Sequence, residues 1–190
     1  KDRVGGLSGY SYGGVIENSS STGRVDGPGD VSEDRGRNIG GLIGYTNSVT
    51  LRQSYSLANV SGFRQVGGLV GYHFGGSIAN SYSLGDVEAS QYVGGLVGSN
   101  LGNIENSYST GRVECYSWYD GGGLIGYYTS AYGGTYNSYW DVNTSGYSTS
   151  DGGEGKTTDQ MKQQDTFQGW DFDNIWEIDG DYPNLRDNPR

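Results

Sequence analysis

A six-residue word, Val93-Gly94-Gly95-Leu96-Val97-Gly98, is followed at short range by Ile104-Glu105-Asn106-Ser107-Tyr108-Ser109-Thr110-Gly111-Arg112-Val113, and near copies of the pair recur along the chain. With the Leu as marker, the word falls at Leu7, Leu42, Leu69, Leu96 and Leu124, at spacings of 35, 27, 27 and 28 residues. The second element opens at Ile16, Leu51, Ile78, Ile104 and Thr135, which lie 9, 9, 9, 8 and 11 residues after the marker. A unit of about 27 residues cannot bury its own apolar face, so such units must stack on their neighbours.

Inside a unit the period is two. Ile78, Asn80 and Tyr82 alternate with Ala79, Ser81 and Ser83, which places one set inward and the other outward on a strand. Gly67-Gly68, Gly75-Gly76 and Gly85 separate these short runs, as corner residues that tolerate positive φ. The chain is therefore expected to be all-β: a parallel β-solenoid (β-helix) over residues 1–150, of about five 27-residue rungs. The rungs start near residues 4, 39, 66, 93 and 121. With 36 glycines in 190 residues the alternative is disorder, but these glycines recur in register with Val, Leu and Ile.

Stacking assigns residues to columns. Ile16, Leu51, Ile78 and Ile104 form one inward row, the marker leucines a second, and Val25, Val60, Val87 and Val113 a third. Asn18, Gln53, Asn80, Asn106 and Asn137 share a position at which amides are expected to hydrogen-bond along the column. Tyr55, Tyr82, Tyr108 and Tyr139 share another, suited to offset ring stacking, with Ser20 as the exception. Glu17 is expected to meet Arg52, and Asp86 to meet Arg112, which avoids like charges on adjacent rungs.

After Gly155 the style changes. Thr157-Thr158-Asp159-Gln160 fits a capping box opening a short helix from Thr158 to about Asp165, and an aromatic tail follows: Phe167, Trp170, Phe172, Ile175, Trp176 and Ile178. Residues 151–190 are expected to form a C-terminal cap containing one short helix, closing an end that would otherwise expose strand edges. The first unit begins almost at once, at Val4, without a leader sequence, so the chain is expected to come from a longer exported one.

The formal net charge of −10 argues against nucleic acid, whose partners carry a basic footprint. The absence of any run of 18 apolar residues argues against direct membrane insertion. A single cysteine, Cys115, excludes an intramolecular disulfide and a thiolate zinc cluster. The single histidine, His73, cannot supply the two ligands of a metallopeptidase helix motif, and its Gly-rich context predicts a surface position. The chain is not expected to be an enzyme.

The words Val66-Gly67-Gly68-Leu69-Val70-Gly71 and Val93-Gly94-Gly95-Leu96-Val97-Gly98, with Asn106-Ser107-Tyr108-Ser109-Thr110-Gly111-Arg112-Val113, resemble the GLUG repeat. The stretches Asn137-Ser138-Tyr139-Trp140-Asp141, Gly169-Trp170-Asp171-Phe172 and Tyr182-Pro183-Asn184-Leu185 resemble the segment that closes such arrays. The resemblance implies a repeat region of a bacterial or archaeal surface protein, an adhesin or haemagglutinin-like chain, as also found beside immunoglobulin A peptidase domains. It implies an extracellular, cell-surface location and a non-catalytic adhesive or structural stalk segment. Partners would be a surface protein or glycan ligand and further repeats or domains of the parent chain.

The places where the repeat is stretched are candidates for binding. One is the loop Gly27 to Asn38, a solvated loop or a cation-holding one. Another is the aromatic last rung, where Trp118, Tyr119, Tyr127, Tyr128 and Tyr132 either cover the solenoid's end or offer flat faces to sugar rings. The latter would make the chain a carbohydrate-binding module. A polysaccharide-active β-helix enzyme is the remaining alternative, requiring two carboxylates across a glycosidic bond. Asp171, Asp173, Asp179 and Asp181 are the densest acids, and Asp-x-Asp spacing can supply oxygen ligands to calcium.

Overall fold

Three parallel sheets run the length of a coil in which each turn of chain lays one or two strands on each sheet. The computed structural model describes residues 2–28, 37–116, 121–129 and 133–190. The first face stacks Val4–Gly5, Arg37–Gly40, Asn59–Gly67, Val87–Gly94 and Val113–Cys115 in rung order. The second stacks Ser8–Tyr12, Ile43–Arg52, Val70–Ala79, Val97–Asn100 and Ile125–Tyr128. The third, only two or three residues wide, stacks Ser20–Ser21, Tyr55–Ser56, Tyr82–Ser83, Tyr108–Ser109 and Tyr139–Asp141.

The observed register is the one the repeat predicts. Ile16, Leu51, Ile78, Ile104 and Thr135 pair in sequence, as do Val25, Val60, Val87 and Val113. Leu42, Leu69, Leu96 and Leu124 are buried beside them, each contributing roughly 1.5–3 kcal/mol by leaving water. Leu7, on the outer side of the first rung, is 53% exposed. Cys115 follows Ala89 in register and packs against the valine column as a small apolar residue.

The asparagine column has a different cause from the one expected. Asn18, Gln53, Asn80, Asn106 and Asn137 all have φ between 45° and 48°, and no amide–amide bond joins them. They turn the chain from the second face to the third through the left-handed region, which Asn tolerates better than most residues. Hydrogen bonding along the axis passes instead to the next residue. Ser19 N–H donates to Ser54 Oγ, Ser54 to Ser81, Ser81 to Ser107 and Ser107 to Ser138, at 3.1–3.2 Å. Each of these hydroxyls from Ser54 on donates at 2.8 Å to the carbonyl two residues before it, so the corner keeps its backbone groups satisfied.

Gly75-Gly76 turn the chain at φ of 68° and 87°, as expected, but in the Gly-Gly pairs of the marker word, such as Gly67-Gly68, close approach rather than positive φ demands glycine, because their φ values lie outside the left-handed region. The second glycine of each pair faces a serine of the third face across a narrow interior. Ser83 Oγ donates to Gly95 O, and Ser109 Oγ to Gly123 O at 2.8 Å. In the last rung Trp140 stands where the others have serine, and its indole occupies the space beside Gly123.

Trp140 begins the closure of that end. Sheet pairing continues beyond it: Glu154–Lys156 pairs with Tyr139–Asp141, and Ser150 Oγ accepts from Ile125 N–H at 2.8 Å. Helix α1, Val142–Ser145, is capped by Asp141, whose Oδ1 accepts from Asn143 and Thr144 N–H. The expected capping box is present at Thr157 and Gln160, but the helix it opens, α2, spans only Thr158–Met161, and a 3₁₀ turn follows at Gln164–Thr166.

From there the chain does not plug an end. It runs back along the third face as a strap. Trp170 Nε1 donates to Asn137 O in rung five, Trp176 Nε1 to Asn80 Oδ1 in rung three, and Asn188 Nδ2 to Gln53 O in rung two and Ser19 O in rung one. The tyrosine column lies beneath it. Tyr55, Tyr82 and Tyr108 stack at 4.9 and 5.0 Å, and their hydroxyls donate to Pro189 O, Asn184 Oδ1 and Pro183 O. Met161, Phe167, Trp170, Trp176 and Leu185 bury the outer side of those rings. Asp141, fully buried, ties strap to solenoid, its Oδ2 accepting from Thr158 Oγ1 at 2.7 Å and Tyr182 OH at 2.6 Å.

Candidate functional site

The second face carries a row of aromatic rings that follows from its register. Tyr10, Tyr45, Tyr72, Ser99 and Tyr127 occupy one column. Alternation turns this position outward, because its neighbours Thr46, His73 and Asn100 point into the core. Ring centroids are 5.3 Å apart for Tyr10 and Tyr45 and 5.0 Å for Tyr45 and Tyr72. At the fourth rung, where the column has Ser99, Tyr92 from the first face comes within 5.0 Å of Tyr127. Phe74, 6.2 Å from Tyr72, widens the row at its middle.

Two guanidinium groups lie on these rings. Arg3 sits 4.3 Å from the Tyr10 centroid and 4.5 Å from that of Tyr45. Arg64 sits 4.6 Å from the Tyr92 centroid and donates to its hydroxyl at 3.1 Å. Such contacts hold a cation in place without neutralising it. Burial raises the Tyr45 and Tyr72 hydroxyl pKa values above the ordinary phenol value, so the row stays neutral and able to donate hydrogen bonds at physiological pH.

Of the sugar-platform candidates, Tyr127 belongs to this row and is exposed. Tyr128 turns away, packing against the core while its hydroxyl donates to Gly133 O. Trp118, Tyr119 and Tyr132 lie outside the described residues, as does most of the Gly27 to Asn38 loop. Tyr10, Tyr45 and Tyr72 were not among those candidates, although each stands three residues after a marker leucine.

The calcium candidates are dispersed over the strap. The Asp171 carboxylate accepts from Asp173 and Asn174 N–H and from the Asn174 side chain, which holds its pKa below the usual range. Asp181 pairs with Lys162 at 3.2 Å and Arg190 at 3.0 Å, while Asp173 and Asp179 are exposed. Among the described residues no group of three or more His, Cys, Asp or Glu gathers as a metal site.

The first face holds a polar groove of about 170 Å³ between Arg24, Asn59, Asp86, Glu88, Arg112 and Glu114. Its charges are largely spent on one another. Arg24 pairs with Asp26, and Arg112 pairs with Glu114 while only its backbone N–H reaches Asp86. The other expected pair, Glu17 with Arg52, forms at 2.7 Å on the second face and contributes at most about 1 kcal/mol, being exposed.

His73 is not at the surface. It is fully buried in the inward column between Thr46 and Asn100, its Nδ1 is 2.7 Å from Thr46 Oγ1, and its Nε2 has no hydrogen-bond partner. Burial depresses its pKa from 6.5 to about 4. The unfolded chain therefore binds the extra proton first, and stability present above pH 6.5 is lost as pH falls through 4. Urea titrations are expected to show a loss on the order of 3 kcal/mol across that window. The loss should be absent in His73→Asn, which borrows the residue of the next rung; an equal loss in that variant would assign it to other groups.

Residues 3–26, 64–88 and 89–114 match the GLUG motif family profile. A protein of the bacterium Evansella cellulosilytica, provisionally named a Gly-rich membrane protein, is 41% identical over 88 residues. That stretch is 44% of this chain and 10% of the bacterial protein. No solved structure matches. Among the described residues no helix is long and apolar enough to cross a membrane.

Proposed function

We propose that this chain, which carries GLUG-motif repeats on a parallel β-solenoid, is a non-catalytic adhesive display module of an exported bacterial cell-surface protein. The row of rings on the second face carries the choice of adhesion over a plain stalk, because a stalk needs no aromatic surface: Tyr10, Tyr45, Tyr72 and Tyr127 share one outward column, and Arg3 and Arg64 lie against rings of that row.

One further feature supports the reading. The ladders of serine hydroxyls and stacked tyrosines brace the solenoid along its length, which suits presentation of a surface under shear.

The test is retention under flow. Beads coupled through residue 190 are passed over surfaces bearing a panel of polysaccharides, glycoproteins and albumin. Detachment forces above the albumin background are expected on at least one polysaccharide or glycoprotein. Retention no better than albumin on every surface would remove the adhesive reading.

A further inference from the structure

We propose that the tyrosine row of the second face binds a linear, carboxylate-bearing polysaccharide laid along the solenoid axis. The contacts would come from Tyr45, Tyr72, Tyr92 and Tyr127, with Arg3 and Arg64 as the anion partners. This deepens the adhesive reading by naming its ligand class.

The first argument is periodicity. Tyr10, Tyr45 and Tyr72 follow one another at 5.3 and 5.0 Å along one axis, and past the Ser99 position the row resumes at Tyr127, with Tyr92 beside it. A compact ligand would use one such contact, whereas a polymer of pyranose units meets the whole row. The apolar C–H faces of the sugars match the ring faces, and the phenol hydroxyls supply hydrogen bonds to the ring substituents.

The second argument is charge segregation. The chain has 22 Asp and Glu against 12 Lys and Arg. Yet Ser8–Tyr12, Val70–Ala79, Val97–Asn100 and Ile125–Tyr128 contain no acid at all, and neither does Ile43–Arg52. The acids of this sheet, Glu17 and Glu105, lie on its separate strands Val15–Glu17 and Asn103–Glu105, and Glu17 is paired with Arg52, so the strands that carry the ring row present arginines at their margin and no carboxylate of their own.

The third argument is the state of those arginines. Among the described residues neither Arg3 nor Arg64 forms an ion pair, and Arg64 Nε is buried without a partner. The guanidinium fork matches a carboxylate in two parallel hydrogen bonds. The rings pin the guanidinium planes beforehand, so little freedom is lost on binding.

Affinity electrophoresis and calorimetry with polygalacturonate oligomers test the proposal, with a neutral β-glucan of equal length as comparison. Binding of polygalacturonate that weakens with salt is expected, with no binding of the neutral glucan. Tyr72→Ser and Arg64→Gln each borrow the residue that the next rung carries in the same column, Ser99 and Gln91. Each is expected to weaken binding about tenfold or more while leaving the circular dichroism spectrum unchanged. Equal affinity for the neutral glucan, or affinity untouched in both variants, would overturn the proposal. So would no binding of polygalacturonate. If the beads then still hold on another surface, the adhesive reading survives this failure; if they hold on none, both fall.

Discussion

Gly95→Ala is expected to leave the chain largely unfolded and poorly soluble. An added Cβ would fall far inside contact distance of the Gly123 carbonyl oxygen in the next rung, and 2.8 Å from Ser109 Oγ. Neither obstacle can yield alone, because Ser109 Oγ is hydrogen-bonded to that same carbonyl at 2.8 Å. Relief would require rungs four and five to separate, breaking the ladder on all three faces. Overpacking usually costs about 1–3 kcal/mol, and here a backbone obstacle places the cost at or above the upper end. A stability of about 5–15 kcal/mol is typical for a domain, so the loss is a large part of the whole. Gly23→Ala is the comparison. Its φ is +93° but nothing lies within 4 Å of the added methyl group. Strain of roughly 1–2 kcal/mol is then the entire effect. Urea midpoints for the two variants should differ widely; similar midpoints would mean that the interior is not as narrow as described.

Trp176→Ala is expected to free the strap. The indole is fully buried, 4.4 Å from Trp170 and 6.1 Å from both Tyr82 and Tyr108, and it donates to Asn80 Oδ1 at 3.2 Å. Truncating a buried Trp costs about 3–5 kcal/mol, and loss of the hydrogen bond adds about 1 kcal/mol. The effect should be local before it is global, because the strand ladders do not pass through the strap. Limited proteolysis is expected to cleave beyond residue 157 first, with loss of the near-ultraviolet aromatic signal while the β spectrum persists. Simultaneous loss of both signals would show that strap and solenoid fold as one unit.

The rungs were legible because stacking leaves a period in the sequence. The Val25, Val60, Val87 and Val113 column could be read directly, and the observed register repeats it. The strap's path left no such trace. Its aromatic residues announce burial, but nothing periodic in residues 157–190 says against which rungs. The asparagine column is visible as a column but its cause is not, since Asn suits both an amide ladder and a left-handed corner. The glycine-rich neighbours of His73 point to the surface, whereas alternation from Tyr72 puts it inside beside Thr46 and Asn100. The tyrosine row at three residues past each marker leucine was readable by the same column argument as the valines.

The account rests on the strap lying along the tyrosine column instead of across an end. Nuclear Overhauser contacts in the isotope-labelled protein test this most directly. The account predicts cross-peaks from the Tyr55 ring to Pro189 and from the Trp176 indole N–H to the Asn80 side chain, pairs 134 and 96 residues apart. Absence of both, with Pro189 instead close to the fifth rung at Tyr139 or Trp140, would contradict it.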